Sequence, residues 1–151
     1  MTAIATTAVL LLVLGVSDAP SAVAGDRYRA RLLALVNASR ERHDLTALGL
    51  DRDLSVDARN HTRTMLRRER IFDPAHIREI LRGRRFHVGA ATVGCAPSLR
   101  ALLRAWMRSK EHREILLHPD LEDVGLGVIR PDRNTRPCGA GAIWATGIYY
   151  G

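Results

Sequence analysis

Residues 86–128, FHVGAATVGCAPSLRALLRAWMRSKEHREILLHPDLEDVGLGV, constrain the fold more tightly than any other stretch. They pass from an apolar run through a Gly/Cys turn into an amphipathic segment, a His-bearing turn and an alternating run. Phe86–Val93 reads as a strand. Pro97 suits the first turn of a helix, where a missing N–H costs nothing. Leu99, Leu102, Leu103 and Trp106 then recur at helical spacing, and the helix is expected to end near Ser109–Lys110. His112-Arg113 opens a short turn that Ile115, Leu116 and Leu117 would bury. His118-Pro119-Asp120 breaks the chain, and the alternation of Val124–Val128 predicts a half-buried strand.

The flanking sequence supplies the partners for this unit. A helix is expected from near Asp26, a good N-cap, to His43-Asp44. Tyr28, Leu32, Leu35, Val36 and Ser39 share its inner face, with Arg27, Arg31 and Arg40 placed opposite. Leu48 and Leu50, in the connector that follows, should plug the core. A second helix is expected over Asp53–Arg70, with Leu54, Ala58, His61 and Met65 on one stripe, so His61 points inward. Asp73-Pro74 predicts a short third helix running to Leu81. A Pro/Gly/Arg loop over 130–141 leads into a last strand, Ala142–Tyr150, with Trp144, Thr146, Ile148 and Tyr150 on one face. Early helices and late strands indicate an α+β layered fold, built as one domain.

The N-terminal residues read as a secretory signal. Ala8–Val16 is a compact apolar core and Ala22-Val23-Ala24 an A-x-A cleavage site, although no Lys or Arg precedes them. The expected division is a signal peptide over 1–24 and a mature domain over 25–151; an uncleaved segment would hold the protein at a membrane. The apolar run falls short of the roughly 20 residues that span a bilayer. Cleavage would remove Asp18 and no basic residue, raising the net charge from +7 to +8. Such a charge favours anionic surfaces, whereas the spread of the basic residues along the chain and their being Arg in all but one case indicate codon bias instead. Nucleic acid is not expected, because few aromatics lie among the arginines and the protein is exported. In an exported chain the even cysteine count points to a Cys95–Cys138 disulfide, worth at most about 4 kcal/mol by loop entropy. The alternative is two free thiols in a reducing compartment.

A set of motifs also resembles a known family. Trp106, Met107, Ser109, His112, Arg113, Ile115 and Leu116, followed by Gly125, Gly127 and Val128, are similar to the signature of the CAP superfamily of SCP/PR-1-like extracellular domains. Val36, Asn37 and Arg40 match the V-N-x-x-R opening of its bacterial branch, and Ala58, His61 and Met65 match its A-x-x-H-x-x-x-M helix. Trp144, Thr146, Tyr149 and Gly151 echo its closing motif with one extra residue. The resemblance covers residues 28–151 and implies a three-layer α-β-α sandwich.

The resemblance further implies a cleft in which two histidines and one or two glutamates hold a divalent metal, usually zinc. The matching histidines are His61 and His112. The matching glutamate, aligned on Val93-Gly94, is Ala91, whose methyl group can neither ligate a metal nor transfer a proton. Two imidazoles are one ligand short of a catalytic zinc site, so at most a weak zinc site is expected unless Glu111 or Glu114 substitutes. The same histidines could instead serve as hydrogen-bonded packing groups. No G-x-S-x-G elbow, H-E-x-x-H helix or P-loop is present, and Ser109 is expected to cap the turn at His112 rather than act as a nucleophile. No catalytic residue is assigned. The expected function is a secreted, monomeric, non-enzymatic module that binds a lipid, an envelope component or another protein. The alternative is a metal-assisted hydrolase acting on peptide or envelope material.

Overall fold

The computed structural model describes residues 19–151, with side chains from residue 25 onward. The expected signal segment, 1–24, therefore lies mostly outside the described backbone and wholly outside the described side chains. Helix α1, Ala19–Glu41, already runs through Asp26, which is not its N-cap. Strand β1 is a two-residue piece, Gly49–Leu50. Helix α2, Arg52–Arg68, begins one residue earlier than predicted because Asp51 caps it, accepting from the Leu54 N–H. It ends at Glu69, in the left-handed region.

Helix α3 is only Ile77–Ile80. Asp73 and Pro74 do not start it, because His76 precedes it with a positive φ and offers no side-chain cap. Strand β2, Gly89–Ala96, lies three residues later than the predicted strand. Helix α4, Leu99–Arg108, is capped by Ser98, so Pro97 sits just outside it. The expected His112 turn is a true helix, α5, Lys110–Leu116, capped by the Ser109 hydroxyl. Strands β3, Asp123–Ile129, and β4, Ile143–Tyr150, complete the chain.

The sheet order is β1-β3-β4-β2, with β1 parallel to β3 and the other pairs antiparallel. Side chains alternate between two helical layers. Val124, Leu126, Val128, Ile143, Ala145 and Tyr149 pack with α1, α4 and α5. Trp144 and Ile148 pack with α2 on the opposite face, where Leu81 follows α3. This is the expected α-β-α sandwich. Strand β3 is buried on both faces, not half-buried, because helices cover both sides of the sheet.

Glycine permits the closest packing. A Cβ at Gly125 would collide with Leu54, and one at Gly127 with the backbone of Ala58 and Arg59. Helix α2 therefore lies directly on the β3 backbone, and hydroxyls satisfy the seam. Ser55 Oγ accepts from Leu126 N at 3.1 Å. Thr62 Oγ1 lies 3.2 Å from Gly127 O and 2.9 Å from the Thr146 hydroxyl. The disulfide joins Cys95 on β2 to Cys138 in the loop before β4, with Cα atoms 6.0 Å apart.

Candidate functional site

The residues that carry the family-like motifs divide into a frame and a nominal site. Asn37 on α1 clamps the next connector: its Nδ2 donates to Leu48 O at 3.0 Å, and Leu48 N donates to its Oδ1 at 2.9 Å. Arg40 is fully buried rather than solvent-facing as predicted. Its Nε donates to Thr46 O at 2.8 Å and its Nη1 to Leu116 O and His118 O at 2.9 and 3.0 Å. Its Nη2 donates to Leu121 O at 3.2 Å. Burial lowers the Arg40 pKa, and four carbonyls in place of a carboxylate hold the charge. The Trp106 indole donates to Val93 O at 2.9 Å, tying α4 to β2. These residues hold elements together.

The nominal site is not assembled in this way. His61, part-buried on α2, places Nε2 2.8 Å from Phe72 O and its ring edge-on to Phe72, with centroids 4.9 Å apart. A carbonyl only accepts, so Nε2 carries the proton and only Nδ1 retains a lone pair. The imidazole thus ties α2 to the loop that follows it. His112 lies in α5, on the other face of the sheet, with its ring centroid 6.4 Å from that of Trp106. Ala91 pairs with Ile148 in the β2–β4 register and so faces the α2 layer, away from His112. Glu111 and Glu114 line a different groove, with Val88, Ala90, Ile115, His118 and Leu121. Among the described residues, no group of three or more His, Cys, Asp or Glu side chains could hold a metal ion. The donor set does not fit the zinc centre that the resemblance implies.

Two further clusters went unread in the sequence. Asp51 Oδ2 accepts from Arg84 Nε at 2.6 Å and from the Tyr150 hydroxyl at 3.1 Å. The Arg84 hydrogen bond, with help from the helix cap and Tyr150, holds the Asp51 carboxyl at about 2. Burial first, and Asp51 second, push the Tyr150 phenol up to about 12. The local signal that could have found it is an aspartate just before α2; its partners Arg84 and Tyr150 are distant in sequence. The second cluster gathers Tyr28, Arg31, Arg100 and Arg130 around one pocket, from three separate segments. No local pattern could have joined them.

Comparison with known proteins agrees with this architecture. Residues 33–149 match the family model described as CAP, the cysteine-rich secretory protein family. The uncharacterized protein YkwD of Bacillus subtilis strain 168 is 26% identical over 136 residues, covering 85% of this chain and 48% of that protein. The chain thus spans about half the length of this curated relative. A crystal structure of an extracellular protein containing an SCP domain from Bacillus anthracis superposes with a TM-score of 0.68 at 19% identity, covering 89% of this chain and 44% of the other. An outer surface protein from Borrelia burgdorferi superposes with a TM-score of 0.63 at 14% identity, covering 82% of this chain and 92% of that one. At these identities the structural matches establish the fold alone. The match of the family model across most of the sequence places the chain in the CAP family of cysteine-rich secretory proteins.

Proposed function

We propose that this chain is an exported CAP domain that works as a binding module without catalysis, and that its family metal site is degenerate. The observation that carries the reading is the dispersal of the nominal ligands. His61 spends its Nε2 proton on Phe72 O, His112 lies across the sheet, and the glutamate position is a methyl group at Ala91. A metal-assisted hydrolase needs three protein ligands and an open position, and a base within reach of the attacking water. The disulfide suits an oxidising compartment, and the apolar N-terminal run with its A-x-A site suits export. The ligand classes that fit an exported, strongly basic domain are lipids, anionic envelope components and other proteins. The domain acts as a monomer.

Zinc titration by calorimetry at neutral pH tests this reading. The expected result is no binding tighter than about millimolar, with no difference between the wild type and a His61→Ala/His112→Ala double variant. Micromolar zinc binding that disappears in the double variant, together with zinc-dependent peptide hydrolysis, would restore the enzyme.

A further inference from the structure

We infer that the pocket between α1, the β2–α4 turn and the β3–β4 loop is an anion site, and that it takes the phosphate headgroup of an amphiphile. The inference rests on the binding-module reading and names the ligand class that the module takes. The pocket encloses about 270 Å³. Three arginines line it, Arg31 from α1, Arg100 from the first turn of α4 and Arg130 from the end of β3, and no carboxylate does. Among the described residues, none of the three forms an ion pair.

Arg130 is already oriented. Its Nη1 donates to the Tyr28 hydroxyl and its Nε to Gly141 O, each at 3.2 Å, which fixes the guanidinium at the rim and leaves further N–H donors free. With no carboxylate in the lining, an oxyanion there would meet guanidinium groups able to offer it paired N–H···O bonds. The floor of the pocket is apolar. Leu99 and Ile143 form it beside Pro97, so the site offers hydrocarbon contact as well as charge. A bare phosphate uses the arginines alone, whereas a headgroup bearing an apolar group uses both parts.

Calorimetric titration of the full chain with short-chain phosphatidylglycerol, kept below its micelle concentration, tests the assignment. Inorganic phosphate and the zwitterionic short-chain phosphatidylcholine are the comparison probes. The expected result is binding of phosphatidylglycerol in preference to both. Arg31→Gln/Arg100→Gln/Arg130→Gln should weaken it about tenfold or more, as loss of charged hydrogen bonds does. Arg52→Gln/Arg82→Gln/Arg85→Gln, which removes the same charge from exposed positions elsewhere, should leave it nearly unchanged. Thermal melts of both triple variants report whether each retains the fold. Equal losses in the two triples would overturn the pocket in favour of net charge. Phosphate binding as tight as phosphatidylglycerol would overturn the amphiphile. Undiminished phosphatidylglycerol binding by the first triple would remove this pocket and leave the binding-module reading standing.

Discussion

The frame around Arg40 and the nominal site around His61 were marked by the same family-like motifs, yet they have had different fates. In the frame the buried or partly buried polar groups are engaged: Asn37 with Leu48, Arg40 with four carbonyls, and Ser109 with the His112 N–H. In the nominal site the groups are scattered over two faces of the sheet, and one of them is a methyl. The difference teaches that the fold is preserved by residues whose removal would strand buried partners.

Arg40→Met breaks this comparison most forcefully. It leaves the carbonyls of Thr46, Leu116 and Leu121 without their side-chain donor and that of His118 with only the Leu121 N–H, and the expected loss is about 4 kcal/mol. Urea unfolding followed by circular dichroism measures it, and a loss below about 1 kcal/mol would remove Arg40 from the frame. The Asp51 tie should be intermediate. Its folded pKa, about 2, lies below the ordinary 3.8 of the unfolded chain. Its contribution is therefore complete above about pH 4 and is lost as pH falls toward 2. Asp51→Asn should cost about 2 kcal/mol at pH 7, and the gap from wild type should close on acidification. A gap that persists at pH 2 would assign the effect to packing instead. The smallest effect is expected at His61. His61→Ala should cost about 1 kcal/mol through the bond to Phe72 O, equally with zinc or with a chelator present. Zinc-dependent stability of the wild type alone would sharpen the comparison in the opposite direction.

These residues also mark how far the sequence could be read. The second helix was legible from its stripe, since Leu54, Ala58 and Met65 are all buried. The third residue of that reading, His61, was placed on the correct helix, but its carbonyl partner lies in an irregular loop that no periodicity describes. Arg40 shows the opposite failure. It continues the stripe Leu32, Val36, Arg40 at successive four-residue steps, so its position indicated burial while its charge suggested solvent. Position prevailed because free carbonyls at the end of α5 and in the turn beyond it needed a donor. The third helix failed for a local reason, since Asp73-Pro74 offered a plausible start but the chain turns left-handed at His76 before committing. The pairing of Cys95 with Cys138 was legible because only two cysteines exist.

The bare glycines of β3 have a mechanical corollary. With Leu54, Ala58 and Arg59 seated backbone to backbone on Gly125 and Gly127, α2 occupies a single notch. Sliding it by one helical turn would bring neighbouring side chains over the bare positions and lift the helix off the sheet. Helix and sheet therefore travel as one plate, and any opening or closing of the molecule has to leave the α2–β3 seam intact.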